Sequence, residues 1–174
     1  KVLPQAFIDG ATIDGKLYAL ATNKELAEQT AYLINSFFVE RHGFDLSTIK
    51  TYKDLEPMLR TMKEKEPDSF GLSIGGATAT IFPLAFDRIM EGVPGAIAVD
   101  GDTSKIVSEL ETPEMKEYFT TMRNWYKAGY IRKDAATVAN PDEDAKTGKW
   151  FARVISYTPY AEIGKARDWN FPMQ

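Results

Sequence analysis

Phe70-Gly71-Leu72-Ser73-Ile74-Gly75-Gly76-Ala77-Thr78 decides the architecture. A short buried-strand candidate runs into two adjacent glycines, and a helical pattern from about Thr78 to Met90, stopped by Gly92, follows them. Strand, glycine turn and helix in succession are the unit of an α/β layer fold. Upstream, Thr51-Tyr52-Lys53-Asp54 is close to a capping box, with Asp in place of Glu, and opens a helix carrying Leu55, Met58, Leu59 and Met62. Earlier still, Leu26, Thr30, Leu33, Ile34, Phe37 and Phe38 recur at helical spacing, so a helix capped by Asn23 is predicted to run until Gly43. The segment from Ile13 to Ala21 reads as a tight Asp14-Gly15 turn feeding a short strand.

Downstream, Ala96 to Val99 and Lys105 to Leu110 flank Asp100-Gly101-Asp102 as a hairpin of two small strands. Thr112-Pro113-Glu114 then supplies an N-cap, a proline at the first helical position and an acidic first turn. The helix it opens carries Met115, Tyr118, Phe119, Met122, Trp125 and Tyr126 and closes at Gly129. Asn140 to Asp144 repeats the start signal for a short helix ending at Gly148, and Trp150 to Tyr157 has strand character. After Pro159 come a last helix, from Tyr160 to about Ala166, and an extended Trp169 to Pro172. With no repeat or linker-like tract, residues 1–174 are expected to form a single α/β lobe with a sheet flanked by helices.

Composition narrows the chemistry. The 174 residues include one histidine and no cysteine, which excludes disulfides, thiolate metal sites, Cys nucleophiles and any site needing two imidazoles from one chain. With 21 Lys+Arg against 25 Asp+Glu and no basic stripe, a nucleic-acid partner is not expected. No apolar run approaches a membrane span. The chain opens at Lys1 without a signal-like stretch, so a targeting signal is expected to have been removed or to lie outside it.

Several constellations have both a chemical and a plain reading. His42, in Arg41-His42-Gly43 at a predicted helix end, suits exposed carbonyls better than general-base work. No G-x-S-x-G elbow is present, and Gly148-Lys149 lacks the rest of a Walker loop. Asp100, Asp102, Ser104, Ser108 and Glu111 fall on calcium-loop positions, but Lys105 stands where the loop needs glycine, so no metal is expected. Nor is any cofactor implied.

Three segments follow predicted strands. Asn23, Lys24, Glu25 and Glu28 form the first, with a solvated helix turn as the alternative. Gly75, Gly76, Thr78 and Thr80, with Phe82 nearby, form a loop that presents backbone N–H groups to a ligand oxygen or else simply packs helix on sheet. Tyr157 and Tyr160 flank Thr158-Pro159 and offer flat faces suited to sugar rings, or serve as core packing. In an open α/β sheet the strand carboxyl ends share one edge, so these segments are expected to converge there as a ligand site.

The order of these segments carries a resemblance. Ile13 to Leu20, then Asn23-Lys24-Glu25 and Tyr32-Leu33-Ile34-Asn35, resemble the start of the second lobe in extracellular solute-binding proteins of ABC importers. Thr51-Tyr52-Lys53-Asp54-Leu55, Thr112-Pro113-Glu114, Trp125 to Ile131 and Gly148-Lys149-Trp150 to Tyr160 continue it across nearly the whole chain. It is nearest to the lipid-anchored Gram-positive kind, although Tyr157-Thr158-Pro159-Tyr160 stands where sugar binders often carry Gly-Pro-Trp.

The resemblance implies a type II periplasmic-binding-protein-like lobe with a mixed sheet, entering near Val2 to Phe7 and leaving near Phe171 to Gln174 of a two-lobe protein. It further implies a non-catalytic function: binding a small-molecule solute, a carbohydrate or oligosaccharide, and delivering it to an ABC transporter permease. The second lobe of the same chain and the permease would be its partners, at the cell surface on a lipid anchor. The alternative is an effector-sensing domain of a transcriptional regulator, distinguished by a helix-turn-helix in the flanking sequence.

Overall fold

The computed structural model describes residues 3–20, 29–74, 86–89, 95–98, 101–102, 104–138, 143, 145–157 and 160–169. A short helix α1 (Gln5–Gly10) precedes a hairpin of β1 (Thr12–Ile13) and β2 (Lys16–Leu17). Its turn has positive φ at Asp14 and Gly15, as a two-residue turn matching strand twist requires. Tyr18 to Leu20 lie outside the strand that the sequence placed there.

The main sheet has the order β3 (Gln29–Ile34), β8 (Trp150–Tyr157), β4 (Phe70–Ser73). Central β8 runs antiparallel to β3, with Gln29 opposite Tyr157 and Leu33 opposite Arg153, and parallel to β4, with Ser73 opposite Arg153. Ile131 adds an isolated parallel bridge to Leu72 on the far side of β4. A second sheet, β5 (Phe86–Arg88), β6 (Gly95–Ala98) and β7 (Val107–Ser108), is antiparallel throughout.

The predicted helix from Asn23 to Gly43 is corrected: residues 29–34 are a strand, and only α2 (Ser36–His42) is helical. Its cap is Asn35, whose side chain accepts from the Phe37 N–H at 3.1 Å. The apolar spacing fits both periods because β3 is covered on both faces. Leu33 packs with Trp150 and Ala145, while Ile34 joins the core on the opposite face. The helix predicted from Thr78 to Met90 is also corrected at its end, since Phe86–Arg88 pairs with β6; residues 78–85 lie outside the described set. The hairpin around Asp100 is present as β6 and β7, with the second strand only two residues long before a 3-10 turn at Glu109–Glu111. The helix start at Asn140 lies largely outside the described residues.

Helix α3 (Glu56–Lys65) starts as its sequence requires, because the Asp54 carboxylate accepts from the Thr51 N–H at 2.7 Å and the Lys50 N–H at 2.9 Å. These bonds hold the Asp54 carboxyl below its ordinary range. Leu55, Met58, Leu59 and Met62 are buried against the sheet, each contributing roughly 1.5–3 kcal/mol of transfer free energy. Helix α4 (Pro113–Ala128) buries Met115, Tyr118 and Trp125 and ends on left-handed Gly129. Gly71 lets α3, the sheet and the α4 exit meet: a Cβ there would lie 3.0 Å from the Tyr130 carbonyl and 3.1 Å from Leu59. The last helix, α5 (Ala161–Trp169), runs three residues further than its sequence pattern suggested. Among the described residues no helix is long and apolar enough to cross a membrane.

Candidate functional site

The register of the main sheet defines one edge. Because β4 is parallel to β8, Ser73 and Tyr157 both lie toward the β8 carboxyl end; because β3 is antiparallel, it begins there, with Gln29 opposite Tyr157. Residues 21–28 therefore lead into a strand at this edge instead of following one, yet their flank meets the same end of the sheet. Asn23, Lys24, Glu25, Glu28, Gly75, Gly76, Thr78, Thr80 and Phe82 lie outside the described residues. Of their described flanks, Gln29 pairs with Tyr157 at this edge, whereas Ile74 follows Ser73, whose partner Arg153 lies four residues before Tyr157.

Tyr157 is half-buried, whereas Tyr160 is 75% exposed. Tyr160 also has φ 68°, a left-handed conformation that costs a bulky residue about 1–2 kcal/mol. Its carbonyl accepts from the Ile163 and Gly164 N–H groups, so the strained residue starts α5.

Beneath the edge, Arg153 and Ser73 face each other in register, both only 2% exposed. Arg153 shares a face of β8 with Tyr157, about 13 Å along the strand. Its guanidinium lies 5.6 Å from the Trp150 ring centroid. The Ser73 hydroxyl has no hydrogen-bond partner among the described residues. Sequence reasoning missed this pair; the signal was an arginine inside the otherwise apolar strand pattern. On the opposite face the Tyr32 phenol is held above its ordinary range by burial, then by Tyr118 and Tyr52, and stays neutral at physiological pH.

The other end of the sheet explains His42. Its Nε2 lies 3.0 Å from Glu66 Oε1, and Arg41 Nε reaches the same oxygen at 3.1 Å. The ring stacks on Phe38. The final turn of α2 is closed by the Gly43 and Phe44 N–H groups bonding to the Val39 carbonyl, not by the imidazole. His42 thus ties the end of α2 to the end of α3, a packing role remote from the Tyr157 edge.

At the calcium-like stretch, the Asp102 carboxylate accepts from the Ser104 N–H and hydroxyl and pairs with Lys105 Nζ at 3.1 Å. Ser104 first, then Lys105, holds this carboxyl below its usual range. A lysine ammonium already paired with this carboxylate argues against a cation there, and Asp100 lies outside the described residues. Millimolar calcium is expected to leave the melting temperature unchanged in a scanning-calorimetry trace; a rise of several degrees reversed by chelation would show a site.

No family model matches the chain. A carbohydrate ABC transporter substrate-binding protein of Streptococcus pneumoniae serotype 4 is 35% identical over 167 residues, covering 95% of this chain and 33% of that protein. The crystal structure of the N-glycan transport solute binding protein NgtS from Streptococcus pneumoniae matches with a TM-score of 0.83 at 34% identity, over 99% of this chain and 38% of that one. The same protein in complex with Man1GlcNAc matches with a TM-score of 0.80 at 33% identity, over 99% of this chain and 39% of that one. The alginate-binding protein AlgQ2, at 15% identity and a TM-score of 0.53 over 73% of this chain and 27% of that one, shares the fold alone. The chain spans about a third of the length of the curated relative it matches. The chain thus has a mixed helix-flanked sheet of the type II periplasmic-binding-protein kind and is similar, over almost all its residues, to about a third of a carbohydrate ABC transporter substrate-binding protein.

Proposed function

We propose that the chain is one lobe of a longer, extracellular solute-binding protein that captures a carbohydrate or oligosaccharide and hands it to an ABC transporter permease without chemically altering it. The observation that carries this reading is the match to NgtS, a protein whose complexes with Man1GlcNAc and Man5GlcNAc were crystallised, over 99% of this chain. The pairing of Gln29 with Tyr157, and the parallel course of β4 toward the same end of the sheet, support a ligand site there, with residues 23–28, 75–82 and 157–160 as its wall. Tyrosine faces suit the apolar side of a sugar ring, and the amide, charged and backbone N–H groups of the other segments suit its hydroxyls. Lobe pairing around the ligand, with a lipid anchor at the cell surface, completes the reading.

Calorimetric titration of the product of the complete reading frame with mannose–GlcNAc oligosaccharides tests it. Saturable binding is expected, and absence of binding to these and to other oligosaccharides overturns the ligand class. The 174-residue chain alone is expected to bind the same sugars with a Kd weaker than about 1 μM, because half a cleft lacks the opposing contacts and the closure that excludes water. Sub-micromolar binding by this chain alone would show that one lobe suffices.

A further inference from the structure

We infer that a pocket at the end of the main sheet opposite Tyr157 is a second ligand site, one that takes a small carboxylate with a ring-shaped body. The pocket opens at the start of β8, and Trp150 lies seven residues, roughly 23 Å, along that strand from Tyr157. Its volume is about 310 Å³, at the lower end of the range for small-molecule sites. Three separate segments wall it: α2 with Phe37 and Arg41, the α3–β4 connection with Glu66, and the approach to β8 with Lys149. All of them belong to this chain, so the site does not depend on the reading of the chain as one lobe.

Its walls are held by the protein's own hydrogen bonds. Asn35 is wholly buried, and its Nδ2 donates to the Gly148 carbonyl at 3.3 Å and to the Trp150 carbonyl at 3.2 Å. The Lys149 N–H donates to Thr147 Oγ1 at 3.2 Å and the Lys149 carbonyl accepts from the Phe70 N–H at 2.9 Å, so the backbone that carries the ammonium is pinned on both sides. Walls set in advance lower the cost of binding. Two cations border the pocket. Among the described residues the exposed Lys149 ammonium has no ion-pair partner, and the Arg41 side chain, 55% exposed, has Glu66 alone. That carboxylate is already compensated, because Arg41 Nε and His42 Nε2 both reach Glu66 Oε1, at 3.1 and 3.0 Å. The pocket therefore holds a surplus of positive charge on a chain of net charge -4, and a ligand carboxylate answers it with charge-assisted hydrogen bonds. Beside the charges stands the exposed Phe37 ring, edge-on to Phe38 and 5.6 Å from the Arg41 guanidinium, an apolar face that suits the C–H side of a sugar ring.

Ligand-observed NMR titration of the product of the complete reading frame with sodium glucuronate tests the site, with a mannose–GlcNAc oligosaccharide in excess to fill the ligand edge. Saturable glucuronate binding that persists in the oligosaccharide is expected; no saturable binding up to about 10 mM, or displacement by the oligosaccharide, overturns the assignment. Glucose, a similar ring without the carboxylate, should bind at least about tenfold more weakly, and equal affinity overturns it. Lys149→Gln should weaken glucuronate about five- to tenfold while Lys149→Arg stays within about twofold, and both should melt with the parent because Lys149 is exposed. Parental affinity in a folded Lys149→Gln variant overturns the site. Acetate or phosphate binding as tightly as glucuronate would leave a bare anion site with no part for Phe37, and a tetraglutamate peptide binding more tightly would give the pocket to a protein partner; either result overturns the assignment. Glucuronate binding without oligosaccharide binding supports this site and counts against the proposed function, whereas oligosaccharide binding without glucuronate binding overturns this site alone.

Discussion

Replacing Trp150 with alanine lowers the stability of the chain by roughly 3–5 kcal/mol, the usual cost of deleting a fully buried large aromatic. Trp150 begins β8 and is wholly buried against Leu33 and Ala145, with Phe70 and Ile155 around them. Its indole N–H donates to the Ala145 carbonyl at 2.9 Å, so truncation also removes one of the two donors to that oxygen and leaves the Gly148 N–H at 3.1 Å. The Arg153 guanidinium loses the ring it lies over, and a buried cation is costly wherever a favourable neighbour is removed. Against a total stability of about 5–15 kcal/mol for a domain of this kind, the loss lowers the melting temperature by about 6–20 °C. Circular dichroism melts of the alanine and phenylalanine variants measure it. Phenylalanine should recover most of the packing but not the bond to Ala145; an alanine variant within 1 °C of the parent would show that β8 is anchored elsewhere.

The second expectation separates stability from binding at Tyr160. On the proposed site, Tyr160→Ala and Tyr160→Gly both weaken oligosaccharide binding by the complete reading-frame product by roughly tenfold or more, the usual effect of removing an aromatic face from a desolvated contact. Their effects on the fold differ. Glycine tolerates φ 68° without steric cost, so the glycine variant should gain about 0.5–1 kcal/mol, whereas alanine keeps most of the strain. Chemical denaturation and calorimetry on the same samples give both quantities. If both variants bind as the parent does, Tyr160 is not part of the site; if glycine brings no gain in stability, its left-handed backbone is not strained.

What was legible in the sequence follows from how local each signal is. The bonds from Asp54 to Thr51 and Lys50, and the cap, proline and terminal glycine that bracket α4, depend on residues a few positions apart, and the structure has them where the sequence placed them. Strand β3 was misread because burial on both faces makes its apolar residues consecutive, and Leu33, Ile34, Phe37 and Phe38 then satisfy helical spacing as well. Nothing in the local sequence says that its partner is β8, more than a hundred residues away. At the candidate site, Tyr157 was readable as the aromatic that closes a strand and Tyr160 as one just past it. Arg153 and Ser73 were not, because their shared position depends on the register of two strands that only the folded sheet brings together.

Strand β8 also sets a timetable. It is the middle strand of its sheet and the last to be synthesised, with Gln29 paired to Tyr157 across most of the chain. At roughly 5–20 residues per second, the emerging polypeptide carries Leu33, Ile34 and Leu72 without their sheet partner for several seconds or more. Such distant pairing places the chain among slow folders, and local helices can form well before the sheet closes. A nascent chain of this kind therefore has a prolonged unfolded interval, and a truncation anywhere before Trp150 deprives both outer strands of the one neighbour they share among the described residues.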